Sequence, residues 1–240
     1  MASHERFVIA IDGPAASGKS SVAAEVARRL DALIFDTGAV YRALTLAALD
    51  QGVSPEDGDA LAALIDQVEI SVIPPSELDG RQYDVRIDGR DVTWEVRDPA
   101  VDRAVSPVSA HARVRAGLLE LQREIGRSGR VVMPGRDIGT VVMPDADLKI
   151  WLDASLDERA RRRQRELEER GVDVSLDVVR EEMEIRDRYD SSREEAPMEP
   201  ARDAFVIETS GKTIEEVIDE VIARANSVLQ SCSVGWRERS

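Results

Sequence analysis

The sequence contains very few residues that form disulfides or bind zinc. Cys232 is the only cysteine among 240 residues, and His4 and His111 are the only histidines. A single cysteine excludes an intramolecular disulfide and a cysteine metal cluster, and two histidines argue against a structural zinc site. With 42% hydrophobic residues, a chain of this length can instead bury a core of its own. We expect one large domain over residues 5–230.

Long apolar runs are also missing. No stretch of about 18 or more apolar residues occurs, and the N-terminus lacks the charged-then-apolar pattern of a secretory signal. We therefore expect a cytoplasmic protein without membrane association, and we expect it to be monomeric.

Positive charge is scarce, and lysine is especially rare. The formal net charge is -15, and the 32 basic residues comprise 29 arginines and the three lysines Lys19, Lys149 and Lys212. Because nucleic-acid binding depends on neutralising phosphates, an acidic chain is a poor candidate for it. Arginine nevertheless grips phosphate oxygens in pairs, so clustered arginines could bind a small anionic ligand.

Short apolar segments alternate with amphipathic ones along most of the chain. This alternation predicts an α/β fold with a doubly wound parallel sheet. The predicted strands of this sheet are 7–11, 33–35, 130–133, 148–152 and 204–207. The predicted helices are 19–30, 40–49, 112–125, 156–170, 176–189 and a last one to about 229 with Thr213 as its cap and Glu216 three positions on. Residues 231–240 are expected to form a frayed polar tail.

The pattern changes between residues 69 and 96. Segments 69–73, 83–87 and 91–94 alternate apolar and polar residues around Pro74-Pro75 and Asp88-Gly89, which is typical of small antiparallel strands. We predict a β-rich insert over about residues 66–106.

The strongest motif lies between the first strand and the first helix. Gly13-Pro14-Ala15-Ala16-Ser17-Gly18-Lys19-Ser20 fits the phosphate-loop pattern G-x-x-x-x-G-K-[ST]. Backbone N–H groups and the helix N-terminus can bind ATP phosphates there, with Lys19 reaching the β and γ phosphates. The Ser20 hydroxyl would bind Mg²⁺, and Ser21 is a lesser candidate. The sequence therefore predicts an ATP site with Mg²⁺ as cofactor.

A phosphate loop alone does not name a reaction, because switches, motors and kinases share it. A GTP-binding switch ordinarily needs an Asn-Lys-x-Asp element, and the only asparagine is Asn226. A motor ATPase usually needs a hydrophobic strand that ends in a carboxylate and a large partner-binding apparatus, and neither is evident. These absences favour a kinase.

Three further stretches bear on the function. They are Asp36-Thr37-Gly38-Ala39-Val40-Tyr41-Arg42, Gly135-Arg136-Asp137-Ile138-Gly139-Thr140 and Arg186-Asp187-Arg188-Tyr189-Asp190-Ser191-Ser192-Arg193. These stretches resemble those of bacterial cytidylate kinases, and with Ile9, Asp12 and Gly13 they follow that family's order over nearly the whole chain. The resemblance implies a nucleoside monophosphate kinase of the phosphate-loop type, with ATP and CMP or dCMP as substrates. It also implies that the β-rich insert binds the acceptor.

The resemblance further implies roles for individual residues. Asp137, Ser106 and Arg115 match the positions that read the base. The positions that bind the acceptor phosphate are matched by Arg42, Arg136 and Arg193. Those that bind the sugar hydroxyls are matched by Arg186 and Asp190. The same pocket is lined by Thr37 and Tyr41, beside Asp36.

A dense run of arginines marks the helix after Trp151-Leu152-Asp153. In kinases of this architecture such a helix belongs to a mobile lid, which we place at about residues 156–172. One or two of Arg159, Arg162 and Arg163 are expected to face the transferring phosphoryl group, with Arg159 and Arg163 assigned as catalytic alongside Lys19, Arg136 and Arg193. The alternative is a charged helix face paired to Glu166, Glu168 and Glu169.

One position departs from the family pattern. The family usually has an acidic residue immediately before Gly-Arg-Asp, near the Mg²⁺ site, whereas this chain has Pro134. Proline supplies no carboxylate and no backbone donor. We expect metal binding to rely on Ser20, phosphate oxygens and water, with Asp36 as an outer-shell helper, and turnover to be low.

Two alternatives to a CMP kinase stay open at this point. The chain could phosphorylate another small acceptor such as UMP, or it could be a catalytically impaired nucleotide sensor. A hydroxyl acceptor would need a positioned base, whereas a phosphate acceptor needs clustered arginines, so the arginine-rich motifs favour a phosphate acceptor.

Overall fold

The first strand and the helix that follows it position the phosphate loop. A computed structural model describes residues 6–169, 171–193 and 196–237. Strand β1, Phe7–Asp12, is buried along its whole length because its apolar residues lie inside the sheet. Helix α1 spans Lys19–Leu30 and buries the face that carries Val22, Ala23, Val26 and Ala27. The pattern of apolar residues predicted this strand and this helix, and the structure confirms both.

The chain divides into two compact units. The first contains residues up to Ala32 together with residues from Gly129 onward, and the second contains Leu33–Ser128. The predicted insert at 66–106 therefore lies within a larger unit of the chain.

The first unit is built on parallel strands. Besides β1, its strands are β6 (Arg130–Pro134), β7 (Leu148–Asp153) and β8 (Phe205–Glu208), in the order β6-β1-β7-β8. All three strand pairs are parallel, with Ile11 opposite Pro134 and Asp12 opposite Trp151. The carboxyl ends of β1 and β6 therefore lie side by side, which places Gly13 and Gly135 at the same edge of the sheet.

Three helices flank this sheet in addition to α1. They are α6 (Leu156–Glu169), α7 (Leu176–Ser191) and α8 (Ile214–Arg237). The capping pair of α8 forms as predicted: Glu216 accepts the Thr213 N–H at 2.8 Å, and the Thr213 hydroxyl accepts the Glu216 N–H at 3.3 Å. The parallel α/β fold with flanking helices is thus confirmed.

The C-terminal segment differs from the prediction of a frayed tail. Helix α8 continues to Arg237 rather than ending near 229, and residues 238–240 lie outside the described residues. No proline interrupts residues 231–237, and the single glycine, Gly235, costs about 1 kcal/mol relative to alanine in a helix. The local sequence therefore allows the helix to continue.

The second unit contains the small antiparallel sheet. After β2 (Leu33–Ile34) and α2 (Gly38–Asp50), the strands β3 (Ile70–Ile73), β4 (Asp84–Ile87) and β5 (Arg90–Asp91) pair in that order. Asp88 and Gly89 both have positive φ, 51° and 79°, as a tight hairpin turn requires. The antiparallel insert is confirmed.

The third insert strand is shorter than predicted. Segment 91–94 was expected to be a strand, but only Arg90–Asp91 pairs, and a short 3-10 helix follows at Glu95–Arg97. The Thr93 hydroxyl accepts the Val85 N–H at 2.9 Å, and Asp91 accepts the Thr93 N–H at 2.9 Å. Side chains therefore take over bonds that a continued ladder would make.

Two helices of the second unit are absent from the sequence prediction. Helix α3 spans Gly58–Ile65 and helix α4 spans Pro99–Ala110, before the predicted α5 at Ala112–Gly126. Both begin at an aspartate cap: Asp57 accepts the Ala60 N–H and Asp98 accepts the Ala100 N–H. In the part of the chain that the structure describes, no helix is both long and apolar enough to cross a membrane.

Candidate active site

The phosphate loop turns sharply at Gly13. The φ of Gly13 is +146°, and a Cβ there would lie 2.1 Å from the Leu152 carbonyl oxygen. No side chain can occupy that space, because the neighbour is backbone of the adjacent strand β7. Gly18 has φ of +96° and caps α1. The two glycines of the motif are thus each required by geometry.

The remaining residues of the loop surround the N-terminus of α1. Lys19 Nζ donates to the Pro14 carbonyl at 2.6 Å, so the lysine folds back over its own loop. Ser17 is buried, and its carbonyl accepts the Thr209 hydroxyl at 3.4 Å. Ser20 and Ser21 are exposed in the first turn of α1, which has no acidic residue. Ala15 and Ala16 complete the loop, and Ala16 has a positive φ of 55°.

Asp12 is a feature that the sequence reasoning left without a role. Its buried carboxylate accepts the Ile138 N–H at 2.8 Å and the Gly139 N–H at 2.7 Å. Burial raises the pKa of Asp12 to about 7, and the charge of Asp137 adds to this, although the two N–H bonds and Lys19 act in the opposite direction. The available signal was a carboxylate that ends a fully apolar strand directly before a phosphate loop.

Among the arginines of α6, Arg159 reaches the phosphate loop. Its guanidinium is buried, donates to the Ala154 and Ala15 carbonyls at 3.0 and 3.4 Å, and pairs with Asp187 at 2.7 Å. Asp187 is thus the counter-ion of a buried arginine. Its neighbour Arg188 is exposed and lies 3.6 Å from Glu184.

The other arginines of α6, Arg162 and Arg163, have different partners. Arg162 donates to the Thr209 hydroxyl at 3.0 Å and to the Thr209 carbonyl at 2.8 Å. Arg163 pairs with Glu166 at 3.1 Å on the outer face of α6. In this conformation Arg159 therefore contacts the phosphate loop, Arg162 anchors α6 to the segment after β8, and Arg163 belongs to the charged helix face.

A cluster of two arginines and one aspartate lies beside the end of β6. Arg136 and Arg193 both pair with Asp190, which is almost fully buried, and the Arg136–Asp190 distance is 2.9 Å. Arg136 also donates to Met198 Sδ at 3.1 Å. The structure thus brings together three of the residues assigned to acceptor binding.

Two further residues that the sequence assigns to acceptor binding lie close in sequence to this cluster. Asp137 is buried at the start of a single π-helical turn, Ile138–Val142, and its carbonyl accepts the Val141 N–H at 2.9 Å. Arg186 lies half-buried on α7, one turn before Asp190.

The second unit contains the remaining residues that the sequence assigns to acceptor binding. Arg115 lies over the Tyr41 ring, 5.7 Å from its centre, and donates to the Ser109 carbonyl at 3.3 Å. Arg42 pairs with Asp102 at 2.6 Å and donates to the Val96 carbonyl at 3.2 Å. Buried Thr37 precedes α2, Asp36 accepts the Gly38 N–H at 2.9 Å, and Ser106 is half-buried on α4.

The chain itself offers few metal ligands. Over residues 6–169, 171–193 and 196–237, no group of three or more histidine, cysteine or acidic side chains could hold an ion. Mg²⁺ commonly keeps several waters and is held through substrate phosphates with one or two protein groups. The exposed Ser20 hydroxyl beside Lys19 fits that mode.

Comparison with known proteins decides the family. The model of the family described as cytidylate kinase matches residues 9–227. This chain belongs to the cytidylate kinase family. The cytidylate kinase of Roseiflexus castenholzii is 52% identical over 221 residues, which cover 90% of this chain and 92% of that protein. Cytidylate kinases of Chloroflexus aggregans and Bacillus pumilus are 48% and 46% identical, covering 90% and 93% of this chain and 92% and 98% of theirs. The family places the chain among the nucleoside monophosphate kinases, which are phosphotransferases.

Replacing Gly13 with alanine should weaken ATP binding. The new Cβ would collide with the Leu152 carbonyl, so the loop must shift away from the strand. We expect the Kd of ATP, measured by calorimetry, to rise at least about tenfold. Gly129→Ala is the control: Gly129 has a similar φ of +156°, but its Cβ would meet no described atom within 4 Å. Equal ATP affinities for the two variants would contradict the steric explanation.

The buried Asp12 carboxyl should make stability depend on pH. Since its pKa is raised to about 7 from 3.8, the native state keeps a proton that the unfolded chain releases between about pH 4 and pH 7. The free energy of unfolding should therefore fall across this window, by up to about 1.4 kcal/mol per pH unit. Urea unfolding of the wild type and Asp12→Asn should show a flatter profile for the variant. Parallel profiles would exclude Asp12 as the cause.

Proposed function

We propose that this chain transfers the γ-phosphoryl group of ATP to CMP or dCMP, producing ADP and CDP or dCDP. The observation that carries the proposal is the pairing of Arg136 and Arg193 with one buried carboxylate in a member of the cytidylate kinase family. Two guanidiniums held in place can grip a phosphate bidentately.

The phosphate loop binds the donor in this proposal. Backbone N–H groups of residues 13–19 and the N-terminus of α1 face the ATP phosphates, and Lys19 exchanges its bond to the Pro14 carbonyl for the β and γ phosphates. Mg²⁺, held by the phosphates, water and Ser20, supplies charge neutralisation of the phosphate oxygens when it is bound.

The acceptor is recognised by three groups of residues. Arg42, Arg136 and Arg193 bind its phosphate, Arg186 and Asp190 bind the sugar hydroxyls, and Asp137, Ser106 and Arg115 read the cytosine edge. Cytosine has an amino donor beside ring acceptors, so a carboxylate with hydroxyl and guanidinium donors matches its pattern. Tyr41 supports this assignment, because its ring lies under Arg115, and Asp36 and Thr37 lie just before it in sequence.

Chemistry in this proposal needs no general base. The acceptor phosphate has a second pKa of about 6, so near neutral pH an oxygen of its dianion attacks the γ-phosphorus directly. The bond from that phosphorus to the bridging oxygen breaks, and ADP leaves with its electrons. Arg159 already touches the phosphate loop and neutralises charge on the transferring group, and Arg163 reaches it only if it releases Glu166.

ADP release with a panel of monophosphates tests the function. CMP and dCMP should be the preferred acceptors, and Lys19→Ala should lower kcat by roughly 10²- to 10³-fold. Lys212→Ala is the matched control, since Lys212 pairs with Glu220 at 2.9 Å on the surface. A preference for UMP or another acceptor would overturn the proposed substrate. ATP binding without ADP release for any acceptor would identify a nucleotide sensor.

Pro134 tests the metal assignment. It is buried at the end of β6, opposite Ile11, where the family usually has an acid. Pro134→Asp and Pro134→Glu should raise kcat several-fold and lower the Mg²⁺ concentration at half-maximal activity, because a carboxylate then assists Ser20. Pro144→Asp, at an exposed position, controls for the added charge. Unchanged activity and Mg²⁺ dependence would show that Pro134 does not limit the enzyme.

A further inference from the structure

We propose that Asp12 is a positioning residue for acceptor binding, which fixes the backbone that carries Arg136 and Asp137 to the strand that carries the phosphate loop. The proposal rests on the function given above, since it deepens the acceptor site of that same reaction.

Residues Arg136 and Asp137 are bracketed by bonds from one strand end. On one side, the Gly135 N–H donates to the Ile11 carbonyl at 3.0 Å. On the other, the Ile138 and Gly139 N–H groups donate to the two carboxylate oxygens of Asp12 at 2.8 and 2.7 Å. The adjacent residues Ile11 and Asp12 therefore hold both ends of a short segment.

We call these bonds from Ile11 and Asp12 to residues 135–139 the clamp, and they require a carboxylate at position 12. Above about pH 7 the Asp12 carboxylate is ionised and accepts at both oxygens, as the two N–H bonds require, whereas an asparagine has one acceptor oxygen and one donor nitrogen. With asparagine, one N–H of the turn would face another donor and lose its partner in a buried place. An apolar residue would leave both N–H groups without a partner.

The turn held by Asp12 is also tightly packed. A Cβ at Gly139 would lie 3.2 and 3.3 Å from the Lys149 side chain and 3.4 Å from Asp12 Oδ2. Lys149 is itself fixed, because its Nζ is 2.9 Å from both oxygens of Asp203. Small movements of the carboxylate should therefore displace the turn rather than be absorbed by empty space.

Asp12 acts through its neighbours and not on a substrate. Both of its oxygens already accept backbone N–H groups, and the residue directly precedes Gly13 of the phosphate loop. Its effect should therefore concern the placement of Arg136 and Asp137, which the proposed function assigns to the acceptor phosphate and base. The donor site should keep its shape, because that shape depends on Gly13 and Leu152.

The test is steady-state kinetics of Asp12→Asn with ATP and CMP as varied substrates, at about pH 8, where the wild-type carboxyl is ionised. We expect the KM of CMP to rise about tenfold or more, as one charged hydrogen bond is lost, with the Kd of ATP within about threefold of the wild type. Hydrogen exchange should become faster at the Ile138 or Gly139 amide. An unchanged KM of CMP, or equal losses for ATP and CMP, would overturn the proposal.

Asp147→Asn is the matched control. Asp147 also accepts a backbone N–H of β1, that of Val8 at 2.8 Å, but at the opposite end of the strand. It should lower stability without changing the KM of CMP. A similar KM increase in this control would mean that Asp12 acts only through general stability of the strand.

Gly139→Ala keeps the proposal testable if Asp12→Asn does not fold. The added Cβ crowds the Lys149 side chain at 3.2 Å and comes into van der Waals contact with Asp12 Oδ2 at 3.4 Å, without altering Asp12, Arg136 or Asp137. We expect the same selective increase in the KM of CMP, and its absence in a folded variant would contradict the clamp. Failure of the wild type to phosphorylate CMP would instead overturn the proposed function, so the two failures are distinguishable.

Discussion

The close approach of Gly13 to the Leu152 carbonyl is the constraint on which the donor site depends. Strand β1 is buried between β6 and β7, so the chain can leave it only by turning at the sheet edge. With the backbone of β7 in contact, the turn has room for no side chain. The direction of the turn sends the chain into α1, whose N-terminus then faces the phosphate position. A single steric contact thus orients both the loop and the helix.

The same sheet edge explains why an acidic protein can bind anions. Arg136, Arg159 and Arg193 are buried or half-buried and pair with carboxylates, Arg159 with Asp187 and the other two with Asp190. Removing a buried partner leaves an uncompensated charge, so these pairs fix the guanidiniums in position. The net charge of the chain resides on its exposed surface, and the local environment at the sheet edge is set by a few paired side chains.

Most elements that depend on neighbouring residues were predictable from the sequence, whereas the contact of Asp12 with a distant turn was not. The phosphate loop, α1 and the Thr213–Glu216 cap are local patterns and were predicted. Helix α4 was not predicted, because Pro99 and Pro107 are residues that usually interrupt a helix, although Asp98 caps it. The bonds from Asp12 to the turn at Ile138 join residues more than a hundred positions apart. Local periodicity in the sequence cannot predict such a contact, so the position of Asp12 beside this turn was visible only in the folded structure.

The buried carboxylate of Asp190 has a consequence for how anions exchange at this cluster. Asp190 supplies one negative charge to two cations, so an anion that reaches Arg136 or Arg193 meets a cation that is already partly neutralised, and its binding partly displaces Asp190. The free energy gained when an anion binds here is smaller than the free energy of binding to an unpaired cation. Once the anion leaves, Arg136 and Arg193 pair with Asp190 again. Under the proposed function, release of the product from the two arginines and their return to position for the next turnover then depend on the same side chain.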